Sequence, residues 1–246
     1  MSRIKSKNAA GGWSGSQWRD RIGVARRSWY GADLTVDATA CTTATDIQPG
    51  NGYYAAMSEI VPLTIEPLPV KLRVADYLTL DELGAFDAYG KTELIEGEIV
   101  YRNAQHRPHA RIKSRLYRLI ADTLDYIGSD LEALIEGSIA MPPHNVPEPD
   151  ISLTAEPEGK GLIPLTSLAL VIEVADATVK NDLGRKRRIY AREGVPEYWV
   201  VDVNRAVIHQ MWRHDGDSYT EQREIAFGAR IAAATIAGLA VEMNTL

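Results

Sequence analysis

The sequence has one cysteine, Cys41, and only two phenylalanines. A lone thiol excludes an intramolecular disulfide and a zinc site built from several cysteines, and it fits a reducing, cytoplasmic setting. No apolar run approaches the roughly 18–20 residues that a membrane helix needs, so no membrane partner is expected. The opening, Met1-Ser2-Arg3-Ile4-Lys5-Ser6-Lys7, is basic, but no apolar segment follows it, and it does not read as a secretory signal. An excess of positive charge is also missing: the net charge is -6. That balance does not advertise nucleic acid as a partner. Nor does it exclude one, because the local field at a metal-filled cleft outweighs the sum over the surface. A GxSxG nucleophile elbow and a phosphate-cradling glycine loop are both absent, which leaves little support for a small-molecule hydrolase.

What is present is a chain of 246 residues, 45% hydrophobic and 24% charged. That is enough for one globular domain with appendages, or for two domains. Residues 1–56 stand apart. They are rich in Gly, Ser, Ala and Thr, lack a sustained periodicity, and carry Arg3, Lys5, Lys7, Arg19, Arg21, Arg26 and Arg27 against four aspartates. A disordered basic extension is expected there, with Met57 as an alternative start of translation. Residues 57–75 read as an extended lead-in, and residues 76–246 as the folded domain.

Within that domain, Thr79-Leu80-Asp81-Glu82 has the spacing of a capping box, opening a short helix to about Phe86. Leu94 to Tyr101 reads as a strand with Gly97 at a turn or bulge. From about His106 to Ile127, Ile112, Leu116, Leu119, Ile120, Leu124 and Ile127 recur at helical spacing, with Arg111, Lys113, Arg115 and Arg118 off the stripe. Leu131 to Met141 reads as strand. Two short apolar runs then follow, one opened by Asp150 and one containing Glu173. A helix is expected from Asp182, as N-cap, to Glu193, stopped by Gly194. Glu197 to Val203 and Ala206 to Arg213 form a hairpin pattern, and Gly228 to Val241 a last strand or two. Strands interrupted by helices indicate α+β or mixed α/β, a central mixed sheet flanked by helices.

The chemistry lies in the two acidic strands. A carboxylate inside an apolar strand is costly unless a cation meets it. Two carboxylates converging at neighbouring strand ends call for a divalent metal, whose natural ligands are oxygens. Asp150 and Glu173 are the candidate ligands, and Glu96, framed by Ile95 and Gly97, is a candidate third. Lys186 lies in the next helix, where its ammonium would stabilise charge building on a phosphate. Tyr190, one turn further on, and His109 are candidate substrate contacts. Each has a plainer reading: Asp150 as a turn residue, Lys186 as part of a solvated basic face, Glu96 and His109 as surface groups, Asp182 as a helix cap. The leading interpretation is a metal-dependent phosphodiesterase acting on DNA, with Asp150, Glu173 and Lys186 catalytic.

These segments also resemble a known family. Glu93-Leu94-Ile95-Glu96-Gly97-Glu98-Ile99, His109, Pro149-Asp150-Ile151, Val171-Ile172-Glu173-Val174-Ala175-Asp176, Lys186 and Tyr190 through Asp202 match, in order and spacing, the Uma2 family of restriction-endonuclease-like proteins. The resemblance runs from about Asp76 to the C-terminus. It implies a PD-(D/E)XK core with a Mg²⁺ (or Mn²⁺) site, in which Asp150 and Glu173 are the superfamily's acidic pair and the Val174 carbonyl is a further ligand. One departure stands out: Ala175 occupies the position where the superfamily usually has its lysine, and the resemblance implies that Lys186 supplies the amine. DNA is the implied substrate, and an open sheet edge would allow a homodimer suited to double-strand cutting. The alternative is a module that keeps the nuclease fold but has lost catalysis and binds nucleic acid or protein.

Overall fold

In the strand β7 (Leu168–Ala175), every residue except Ala169 is buried, the pattern of a strand covered on both faces. Leu170, Ile172 and Val174 enter one hydrophobic core, while Val171 and Ala175 enter another on the opposite face. The period of two along the strand thus divides the molecule into layers. The computed structural model describes residues 69–102 and 104–243. The extension expected over residues 1–56 lies outside the described residues, as does the lead-in up to residue 68.

The described chain begins with α1 (Val74–Glu82), followed by the hairpin β1 (Thr92–Ile95) and β2 (Glu98–Tyr101), and then α2 (Arg107–Ile127). Next come β3 (Glu132–Ile135), β4 (Ile139–Ala140), β5 (Ile151–Thr154) and β6 (Ile163–Pro164), then β7. A helical crossover follows, made of α3 (Val179–Asn181), a π-helical turn (Asp182–Lys186) and α4 (Arg187–Arg192). The chain continues with β8 (Glu197–Asp202), β9 (Val207–Asp215), β10 (Ser218–Ala226), β11 (Arg230–Ala232) and β12 (Ala240–Glu242).

Six strands form the central sheet in the order β10-β9-β8-β7-β5-β3. It is mixed: β7 and β8 run parallel, joined through the helical crossover, and the other pairings are antiparallel. Ile112, Leu116, Ile120 and Leu124 of α2 pack on one face, against Ile151, Ile172, Trp199 and Val201. Ile189, Tyr190 and Ala191 of α4 cover the other face, with Val171, Tyr198 and Val200. Burying each large aliphatic side chain in these layers stabilises the fold by roughly 1.5–3 kcal/mol. The mixed α/β architecture, the α2 stripe and the β8–β9 hairpin match the sequence reading. Gly128 ends α2 in the left-handed conformation (φ 63), where a residue without Cβ has no steric penalty.

Several boundaries differ from the sequence reading, for local reasons. Helix α1 begins at Val74, with Asp76 Oδ2 accepting the Arg73 N–H at 2.9 Å. Thr79 is therefore inside the helix rather than its cap, and its hydroxyl donates back to the Ala75 carbonyl at 2.8 Å. The expected strand from Leu94 to Tyr101 is a hairpin whose turn residues, Glu96 (φ 51) and Gly97 (φ 77), both have positive φ. The expected strand from Leu131 to Met141 is broken at Glu136 (φ 55) and Gly137, where an added Cβ would stand 2.7 Å from Ile163 Cδ1. The helix expected from Asp182 to Glu193 begins at Val179, so Asp182 is not its N-cap but a buried residue of the π turn.

Candidate active site

Asp150 ends the loop entering β5, and Glu173 lies near the end of the neighbouring β7, so the antiparallel register brings the two carboxyl groups to one end of the sheet. Both are almost fully buried. Asp150 Oδ2 accepts the Val174 N–H at 2.8 Å and lies 3.2 Å from His109 Nε2. Lys113 Nζ is 3.5 Å from Asp150 Oδ1. Glu173 Oε1 accepts two hydrogen bonds of 2.9 Å, one from Lys186 Nζ and one from the Tyr190 hydroxyl. Lys186 and Tyr190 are one helical turn apart, which places both on the same side of the crossover. Lys186 also donates to Glu93 Oε1 at 3.0 Å, and that oxygen accepts the Glu148 N–H at 2.7 Å. The ammonium is thereby held between two carboxylates.

A guanidinium completes the cluster. Arg102 follows the last residue of β2, and its Nη2 lies 3.6 Å from Asp150 Oδ1 and 3.9 Å from Glu173 Oε2. Its Nη1 donates to the Glu148 carbonyl. Of these groups Glu93, Arg102, His109, Glu173 and Lys186 line a cleft of about 400 Å³, together with Asp182 among others, and Asp150 is outside that lining.

The electrostatics follow from burial. Burial pushes the Glu173 carboxyl up to about 7, against the pull of Lys186. Burial also opposes the charge on Lys186, but Glu173 and Glu93 outweigh it and raise its pKa above the ordinary lysine value. Burial thus works against charge on both members of the pair, and each is offset by the opposite charge of the other. For Asp150, burial works against ionisation, yet the His109 contact, Arg102 and the Val174 N–H together hold its carboxyl below the usual value.

The structure therefore brings Asp150, Glu173 and Lys186 into one cluster, with His109 against Asp150. It does not bring Glu96 there. Glu96 sits at the β1–β2 turn, 40% exposed, with its carboxylate 2.9 Å from Arg185 Nε and 3.5 Å from Arg192 Nη1. Positive φ at the turn points it away from the strand pair, and Glu93 is the hairpin carboxylate that reaches Lys186. Tyr190 is fully buried and outside the cleft lining, and its hydroxyl donates to Glu173 Oε1 at 2.9 Å. Lys113, which the helical pattern places off the apolar stripe, is buried beside Asp150. Glu93 carried a faint sequence signal: a two-residue X-Gly turn at Glu96-Gly97 leaves Glu93 within the strand. Arg102, a single arginine in a loop, carried none.

Glu136 forms a second layer. It is bound by Lys113 and Lys91, and these contacts outweigh burial and bring its carboxyl down to about 2. A depressed carboxylate lends stability that is complete above its unfolded pKa and disappears as pH falls through the folded one. Native protein is thus expected to lose stability between about pH 4.5 and 2 more steeply than Glu136→Gln, measured by thermal melting across that range.

Among the described residues, no three His, Cys, Asp or Glu side chains are grouped as a set able to hold a metal ion. No helix among them is long and apolar enough to cross a membrane. A family described as "Putative restriction endonuclease", Uma2, matches residues 74–244. Among solved structures, the chain is similar to a "putative nuclease belonging to DUF820" from Anabaena variabilis ATCC 29413. The identity is 18%, the match covers 67% of this chain and 89% of that one, and the TM-score is 0.52, a likeness of fold. No curated protein matches the sequence.

Proposed function

The chain belongs to the Uma2 family of restriction-endonuclease-like proteins, and from that premise we propose that it is a metal-dependent DNA endonuclease. In this reading Asp150 and Glu173 hold Mg²⁺ or Mn²⁺, and Lys186 is the cation that faces the reacting phosphate. The observation that carries it is the Lys186–Glu173 contact of 2.9 Å on the floor of the cleft, with Asp150 joined to Glu173 through a shared cationic neighbour.

The donor set fits such an ion. Mg²⁺ keeps several waters and is commonly held by one or two carboxylates together with substrate phosphate, so a cage of three acidic side chains is not required. Val174 offers a further oxygen. Its N–H donates to Asp150, and the carbonyl of a strand residue points to the same edge as its N–H. When bound, the ion supplies Lewis-acid polarisation of a phosphoryl oxygen and a more acidic water.

The chain's own groups supply placement and charge. Glu93 and Glu173 fix Lys186 from two sides, so its ammonium needs little reorganisation when negative charge builds on the phosphoryl oxygens. Tyr190 restrains Glu173 from below. His109, on the first turn of α2, holds Asp150 against the end of β7.

Purified protein is expected to convert supercoiled plasmid to nicked or linear DNA in Mg²⁺ or Mn²⁺ and not in EDTA. Folded protein that leaves every DNA form intact across divalent ions would overturn this reading. It would favour the non-catalytic module instead, for which the observation is Arg102: an internal guanidinium faces both carboxylates.

A further inference from the structure

Arg102 has an unusual relation to the two carboxylates it serves. Its Nη2 lies 3.6 Å from one and 3.9 Å from the other, too far for a directional hydrogen bond to either. What holds the group on this side is charge, together with the Nη1 contact to the Glu148 carbonyl. The same charge, from Glu173 first and then Glu93, Asp150 and Glu148, outweighs burial and raises its pKa. Arg102 is not sealed in: its side chain is 20% exposed and lines the cleft, whereas Lys186 is 6% exposed and hydrogen-bonded to two carboxylates. Of the two cations facing Glu173, the arginine is the one with a route out.

We propose that Arg102 is a displaceable counter-cation, whose guanidinium holds the place between Asp150 and Glu173 and swings into the cleft when a divalent ion binds. The inference rests on the metal-dependent reading above and adds a resident competitor for the ion. A divalent ion coordinates carboxylate oxygens at roughly 2.0–2.2 Å. A guanidinium within 4 Å of oxygens of both carboxylates would face that ion as a like charge in a poorly solvated site, so the two exclude each other. Once displaced, the planar fork stands in the cleft in a form suited to a phosphate diester, which it can bind bidentately. Removing the arginine should therefore tighten the metal site and weaken its hold on DNA.

The test is calorimetric titration of MnCl₂ into the full chain, native and Arg102→Gln, with Arg102→Lys and Glu98→Gln as controls. Glu98 lies on the exposed hairpin and pairs with Lys71 and Arg185, away from Asp150. Arg102→Gln is expected to bind Mn²⁺ about tenfold or more tightly than native protein, since a like charge has been removed. Arg102→Lys and Glu98→Gln should stay within about threefold, because neither removes a cation from the pair. Should Arg102→Gln unfold without metal, its two uncompensated carboxylates predict that MnCl₂ restores the circular-dichroism spectrum and melting transition, which supports the inference equally. Equal or weaker Mn²⁺ binding by folded Arg102→Gln, or failure of Mn²⁺ to restore an unfolded one, makes Arg102 a fixed part of the site and overturns the exchange. That result leaves the nuclease reading standing if native protein binds Mn²⁺. Absence of Mn²⁺ binding by both native and variant protein overturns the exchange and the metal-dependent reading together.

Discussion

Glu173→Gln is expected to lower metal-dependent DNA nicking by about 10³-fold or more while leaving the chain folded. The substitution keeps the shape of a side chain buried in β7 and removes its charge. That charge is the one faced by Lys186, Tyr190 and Arg102. In the metal-dependent reading, one of the two proposed acidic ligands is then lost. Lys186 keeps its other partner, Glu93, which limits the structural damage. A neutral amide in that place also avoids the desolvation cost that burial imposes on the carboxylate. The measurement is a time course on supercoiled plasmid in saturating Mn²⁺, beside a melting curve of the same preparation. Activity within tenfold of native protein, with the fold intact, would remove Glu173 from the chemistry.

The second large effect concerns stability. Glu197, the first residue of β8, is fully buried and accepts five hydrogen bonds. Trp199 Nε1 and Gln210 Nε2 each donate to Oε1 at 2.6 Å. The N–H groups of Ala234 and Thr235 and the Thr235 hydroxyl each donate to Oε2 at 2.8 Å. One carboxylate thus ties the segment between β11 and β12 to the central sheet. Glu197→Leu leaves the buried indole donor and one of the two Gln210 amide hydrogens unpaired, the amide nitrogen still donating to the Ala232 carbonyl at 3.0 Å, at roughly 1–3 kcal/mol for each lost partner. The backbone donors, on a partly exposed segment, can turn to water. The expected loss is about 3–5 kcal/mol in urea unfolding, and Glu197→Gln should cost less because its carbonyl still accepts. A loss below about 1 kcal/mol would mean that the segment is held by its apolar contacts alone.

Much of this architecture was legible because it rests on periodicity. The α2 stripe repeats at helical spacing, β7 and β8 are continuous apolar runs, and Gly194 stops the crossover helix, with φ 87. Asp150 and Glu173 stood out because a carboxylate in an apolar strand has few explanations. Lys186 was singled out by its place in the helix that follows the Glu173 strand, and the family resemblance supported it, although composition alone does not separate it from Arg185, Arg187 and Arg188. What was missed depends on pairing between distant segments. Strand β10 was overlooked because Ser218–Ala226 is an edge strand with few buried residues and no sustained apolar alternation. Arg102 and Lys113 acquire meaning only when the hairpin, α2 and β5 meet around Asp150. Glu96 looked more promising than Glu93 because its apolar neighbours suggested burial, whereas the turn geometry turns it to Arg185.

The π turn at Asp182–Lys186 sets the angular phase of everything after it. Each residue of an α-helix advances the winding by about 100°, and a five-residue hydrogen-bonded loop takes in one residue more than that winding provides for. The surplus residue divides the crossover into two windings that are out of step. The latter carries Tyr190 to Glu173, and Ile189 and Ala191 to the core. In this stretch the residue count itself is under geometric constraint: one deletion would let the segment relax to regular pitch and rotate the lysine and the tyrosine off their shared carboxylate.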